Sequence, residues 1–275
     1  MKRWLTTILA FACFSAIVRA DVTVVQTTTI EGGMAAMSGG GNMSTTMTTR
    51  IKGLKSRTDI EGGPIQVAAI SDVAAKQVII LNTAQKTATI ASPTAPPGVA
   101  AAAEAVAGAI DSTVSPTGLS QVIDGVKCNE YKLTTSVNLS EIAAGQQQMP
   151  PEAAAMMQGM KMVMTGSIWV AKEVPGAADY FAYQKAVAAA GMGALMGRAS
   201  GMNMPGMEKM TKAMGSLDGM SYLTEIVMNV EGSGPMADMM KQMGGMKITT
   251  RTTSIKTEAL GDDVFKVPEG FTIVK

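Results

Sequence analysis

Apolar and polar residues alternate in short runs along most of the chain, and the runs are broken by Gly, Pro and Asp. DVTVVQTTTI (21–30) is rich in Val and Thr and reads as a strand, followed by a Gly-laden loop. STTMTTRIKGLKSRTDIEG reads as two short strands joined at Gly53-Leu54. IQVAAISD and KQVIILNT follow, separated by a polar break at Asp72–Lys76, and then QKTATIAS. Pieces of this length divided by turn residues predict an up-and-down antiparallel sheet. Parallel pairing needs crossover helices, and none lies between these strands. Strands resume with TGLSQVIDGVKCNEYKLTTSVNL, where Asp124-Gly125 is a hairpin signal.

The alternation sharpens in the second half. In MKMVMTGSIWVAKEV, Met162, Met164, Ile168 and Val170 fall on one face, with Thr165, Ser167 and Trp169 on the other. MSYLTEIVMNVEG sets Tyr222, Thr224, Ile226, Met228 and Val230 opposite Glu225, Asn229 and Glu231. Such strands turn one side to an apolar interior and one to water. MKITTRTTSIKTEAL and DVFKVPEGFTIVK are expected to supply the closing strands.

Helical spacing interrupts this pattern in a few places. PGAADYFAYQKAVAAAGMGALMG is the best helix in the chain. GMEKMTKAMG puts Met207, Met210 and Met214 at i, i+3 and i+7, and GPMADMMKQMGG aligns Met236, Met239, Met240 and Met243 before a Gly244-Gly245 stop. PPEAAAMMQGM reads as a short helix opened by proline. The Ala-rich run from Val99 to Ile110 reads as a loosely packed helix, with a linker as the alternative. Methionine is conspicuous: six occur between Met196 and Gly215. Its unbranched thioether adapts to irregular or changing apolar partners.

The first twenty residues stand outside the fold. Lys2 and Arg3 precede an apolar stretch from Trp4 to Val18, and Val18-Arg19-Ala20 supplies small residues where a signal peptidase reads. Cleavage after Ala20 is expected, leaving a periplasmic or secreted protein of residues 21–275 with no transmembrane anchor. Lys2, Arg3 and Arg19 leave with the signal, so 20 basic residues then face 22 acidic ones. No basic run stands out, and aromatics make up only 4% of residues, so nucleic-acid binding has no footing. Cys13 also departs. Cys128 is left as a lone thiol that cannot form an internal disulfide, and a small buried apolar role is expected for it.

The chain contains no histidine, which removes most base-assisted nucleophiles and the usual zinc and iron sites. GMGALMG (191–197) misses the dinucleotide-binding spacing and follows a helix rather than a strand. No enzyme, catalytic residue or cofactor is expected. Clustered thioethers suit Cu(I), and MNM (Met202–Met204) and MKMVM (Met160–Met164) offer close pairs. Burial and packing account for the same spacings, so copper is the less favoured reading and no metal site is assigned.

Several features together resemble an uncharacterised family of exported bacterial proteins, a domain of unknown function related to the lipoprotein-carrier (LolA-like) superfamily. They are the signal peptide, RIKGLKSRTDIEG, QVAAISDVAAKQVIILNTAQKTATI, IDGVKCNEYKL, GSIWVAKEVPGAADYFAYQKAV and the ending VFKVPEGFTIV. The resemblance implies a mainly β (α+β) protein: a curved antiparallel incomplete barrel, with helices inserted over its concave face. It also implies a single domain over 21–275, with an Ala-rich insertion (98–110) and Met-rich helical insertions (177–215 and 234–245). The Met- and Ala-rich insertions depart from the carriers, and a shared fold does not fix a function. The first expectation is a hydrophobic ligand, a lipid or lipidated partner, held between sheet and helices. Met162, Met164, Ile168 and Val170 would line the sheet, and Met207, Met210, Met214, Met239 and Met243 the lid. The alternative is an envelope structural or interaction module in which these residues close a filled core. A cavity of several hundred cubic ångströms separates the two readings.

Overall fold

A computed structural model describes residues 21–32, 43–62, 66–91, 110–141, 157–192, 195, 207–233, 235–242 and 244–274. The bulk of the Ala-rich run, most of PPEAAAMMQGM and the pair Met202 and Met204 lie outside them. The protein is mainly β. The first six strands are β1 (Val22–Glu31), β2 (Met43–Lys52), β3 (Lys55–Glu61), β4 (Val67–Asp72), β5 (Gln77–Asn82) and β6 (Thr87–Ala91). Next come β7 (Ile110–Ile123), β8 (Val126–Asn138) and β9 (Lys161–Ala171), then helices α1 (Ala177–Ala189) and α2 (Met207–Met214). The chain ends with β10 (Met220–Glu231), α3 (Pro235–Gln242), β11 (Met246–Thr257) and β12 (Thr272–Val274).

These strands make one open sheet in the order β12-β6-β5-β4-β3-β2-β1-β11-β10-β9-β8-β7. The meander expected from the alternating runs is present on both sides of β1. Pairing of β1 with β11 joins the two halves, from Val22 opposite Thr257 to Glu31 opposite Lys247. The β7–β8 hairpin turns at Asp124-Gly125, with φ of 50° and 79°. Two consecutive positive φ values are what a tight hairpin needs to match strand twist.

Helices cover one face. Tyr183 and Val187 of α1 pack on Ile51 and Val78, and Ala177 packs with Val22, Val24 and Met220. Met214 of α2 and Leu217 beyond it pack on Leu133, Ile168 and Val170. The strand register places Val22, Val24, Ile51, Val78, Leu133, Ile168 and Val170 on the same side. On the opposite face, Leu260, Phe265, Val267 and Phe271 of the C-terminal segment pack on Ala68, Ile70, Leu81 and Ala88.

Two sequence expectations shift in detail. DVFKVPEGFTIVK is not a full closing strand: Asp262–Phe265 forms a 3-10 turn, and only Thr272–Val274 joins the sheet, parallel to β6 at its edge. Burial of Phe265 draws the segment across the outer face, and Pro268 lacks the N–H a longer ladder would require. Tyr222 leaves the apolar row of β10. A bulge between Ser221 and Leu223 shifts the register there, and Tyr222 packs with Cys128 and Ala171 instead.

Candidate functional site

β9 lies between β8 and β10, so each of its residues has a neighbour on both sides. Ile168 and Val170 are fully buried, and with Leu133 and Leu217 they form a cluster onto which Met214, Tyr131, Val114 and Ile226 pack. This part of the helix-bearing face is filled by side chains. Three of the expected site residues (Ile168, Val170 and Met214) are thus brought together as packing.

Met162 and Met164 continue the same face toward the other end of β9, where they are half-buried. Their surroundings come from distant parts of the chain. Met164 pairs with Met228 on β10, and Met228 pairs in turn with Met246 on β11, making a row of three methionines across adjacent strands. One row outward, Met162 pairs with Val230. One row inward, Gly166, Ile226, Ile248, Ile30 and Met43 follow one another across five strands. Met228, Met246, Ile248 and Val230 are all half-buried. Gly166 has a specific reason to be glycine: a Cβ there would collide with the Glu225 carbonyl oxygen and lie 2.9 Å from the Ile226 Cα. The neighbouring backbone approaches too closely for any side chain.

The backbone of α2 carries Met207 and Met210, and that of α3 carries Met239. Their side chains, and the whole of Met243, lie outside what the structure describes. α3 links the ends of β10 and β11 that bear Met228, Val230 and Met246, with Ala237 fully buried.

A hollow occurs on the other side of the sheet. It is an open groove of about 690 Å³, roofed by the C-terminal segment and lined by Arg50, Arg57, Asp59, Glu61, Lys266 and Glu269. Arg50 and Arg57 face each other across β2 and β3, and Asp59 bridges them at 2.5 Å and 2.8 Å. Arg57 also donates to the Val264 carbonyl at 3.4 Å, tying the roof to the sheet. The groove is charged rather than apolar, so it is not the cavity the sequence led one to expect. Its residues alternate in TTRIKGLKSRTDIE, the one local signal that marked them as a common face.

The ionisable groups offer little for catalysis. The Glu130 carboxylate accepts from the Ser167 hydroxyl at 2.5 Å and from Thr117 at 2.9 Å, which holds it below the usual carboxylate range. A general acid working near neutral pH needs the opposite shift. Cys128 is fully buried, and burial pushes its thiol up, with nearby Asp124 adding to the effect. That disfavours the reactive thiolate. Among the described residues no three Cys, Asp or Glu side chains gather closely enough to hold a metal ion. Among them, too, no helix is long and apolar enough to cross a membrane.

No family model and no curated protein matches the sequence. Among solved structures, the chain is similar to the crystal structure of an uncharacterised conserved protein from Thermus thermophilus. Identity is 8%, coverage is 94% of this chain and 91% of that one, and the TM-score is 0.39. A likeness this weak bears on neither fold nor function.

Proposed function

We propose that this is an exported, non-enzymatic binding protein of LolA-like build, which holds an acyl chain against the methionine-rich end of its helix-bearing face. The observation that carries this reading is the Met164–Met228–Met246 row with its apolar flanks. It is half-buried, whereas Ile168 and Val170 on the same face are sealed beneath α2. A flexible thioether surface suits a chain with no fixed shape. The close backbone approach at Gly166 supports a sheet that bends around this face as a half-barrel does. The ligand is a lipid or the acyl group of a lipidated partner, met in the periplasm or outside the cell.

A second reading, an envelope interaction module, is favoured by the filled cluster around Ile168 and Val170. Native mass spectrometry of the full chain, purified from the compartment to which it is exported, separates the two. A retained lipid mass, together with binding of a dansyl-labelled fatty acid, is the expected result. Met228→Asp places a charge in the middle of the row and should abolish probe binding while leaving strand content intact. A wild-type chain that carries no lipid and ignores the probe would leave the interaction module standing.

A further inference from the structure

Three thioethers from strands far apart in sequence share one ladder row: Met164, Met228 and Met246. Neighbouring strands are about 4.8 Å apart, so the outer two backbone positions are separated by roughly 10 Å, with the third midway. Methionine is unbranched and has three rotatable side-chain bonds, enough for both outer side chains to lean over the central one. A fourth thioether, Met162, stands two residues along β9 on the same face. Each member of the row is half-buried, so the row is neither sealed in the core nor fully open to water.

The chemistry of such a row is narrow. Thioethers are neutral and soft, and they release no proton on binding a metal. The adjoining row on this face supplies Gly166, Ile226 and Ile248, with no carboxylate. The chain has no imidazole at all. Divalent ions that favour oxygen or nitrogen gain nothing here, whereas a soft monovalent ion gains three donors in apolar surroundings. We infer that the Met164–Met228–Met246 row is a binding site for Cu(I), selective against Zn(II) and other harder ions.

The inference does not rest on acyl-chain binding, because leucine at these positions keeps the face apolar and removes only sulfur. The full chain is titrated anaerobically with Cu(I), using ascorbate as reductant and bathocuproine disulfonate as competitor, and separately, with no reductant present, with Ag(I) as a soft monovalent probe that does not oxidise in air. The wild-type chain is expected to take up one more equivalent of each ion than M164L/M228L/M246L, and its copper absorption spectrum to show a sulfur-only shell. M202L/M204L should match wild type, which separates this row from the close pair in the sequence. Binding of the dansyl fatty acid by the triple leucine variant reports on the acyl reading independently. Equal uptake by wild type and the triple variant, or nitrogen and oxygen in the copper shell, overturns the assignment. Circular dichroism of the triple variant excludes misfolding as the cause of any loss.

Discussion

Tyr183 takes a phenol into the core beneath α1, where it is only 4% exposed and shares a 2.6 Å hydrogen bond with Ser56. A hydroxyl in this position is tolerated because it has a partner. Removing it with Tyr183→Phe leaves the buried Ser56 hydroxyl without that bond and should cost about 1–2 kcal/mol at neutral pH, read from the urea midpoint. The same group sets an alkaline limit. Burial pushes the Tyr183 phenol above its ordinary value of 10.0, against the opposing hydrogen bond from Ser56. The unfolded chain therefore loses this proton first as pH rises. The contribution is fully present below the unfolded value and is lost as pH climbs through the folded one. Urea midpoints should fall from about pH 9 to about pH 11, and fall less steeply in Tyr183→Phe. Identical slopes would assign the alkaline loss to other groups.

At the scale of elements, the β7–β8 hairpin reaches across the outer face of β9 and β10 to β11. Asp124 at its tip accepts from Arg251 Nε at 3.0 Å and Nη2 at 2.5 Å, and the same contact raises the Arg251 guanidinium. Asn also accepts the positive φ of this turn, so Asp124→Asn removes the charge while keeping the hairpin. Both side chains are nearly half exposed, so the stability loss should not exceed about 1 kcal/mol and should shrink in high salt. Hydrogen exchange at the hairpin tip is expected to quicken, with no change in β9. Much of this arrangement was legible in the sequence, because Asp124-Gly125, the strand alternation and the helix spacings are local signals. The face shared by Met162, Met164, Ile168 and Val170 was legible for the same reason. What could not be read was register: nothing near Met164 says that Met228 and Met246 stand beside it. The bulge at Tyr222 and the bridging of Arg50 and Arg57 by Asp59 are likewise products of pairing between strands. The methionine stripes of the helices pointed to packing surfaces, and Met214 alone of the expected lid side chains is described in such a role.

Across the whole molecule, the two halves of the sheet are built for different surroundings. β4 and β5 read QVAAISD and KQVIILNT, nearly continuous apolar runs, because both of their faces are covered: α1 on one side, the C-terminal segment on the other. β10 alternates exposed and half-buried positions from Val227 to Glu231, as a strand with one solvated face does. Phe265 is therefore an anchor of the outer layer rather than of the methionine face. It is the buried centre of that layer over Ala68, Ile70, Leu81 and Ala88, with Leu260, Val264, Val267 and Phe271 packed around it. Phe265→Ala should cost about 3 kcal/mol, near the lower end for a buried aromatic because 9% of it is already exposed. The larger consequence is the uncovering of those four apolar positions, which turns a protected outer face into one that associates. Size-exclusion chromatography should show concentration-dependent dimers or larger species, suppressed in Phe265→Leu. Binding of the dansyl fatty acid should survive in whatever fraction stays monomeric, because the row of Met164, Met228 and Met246 lies on the other face of the sheet. Parallel loss of probe binding and monomer would mean that the two faces are coupled through the strands.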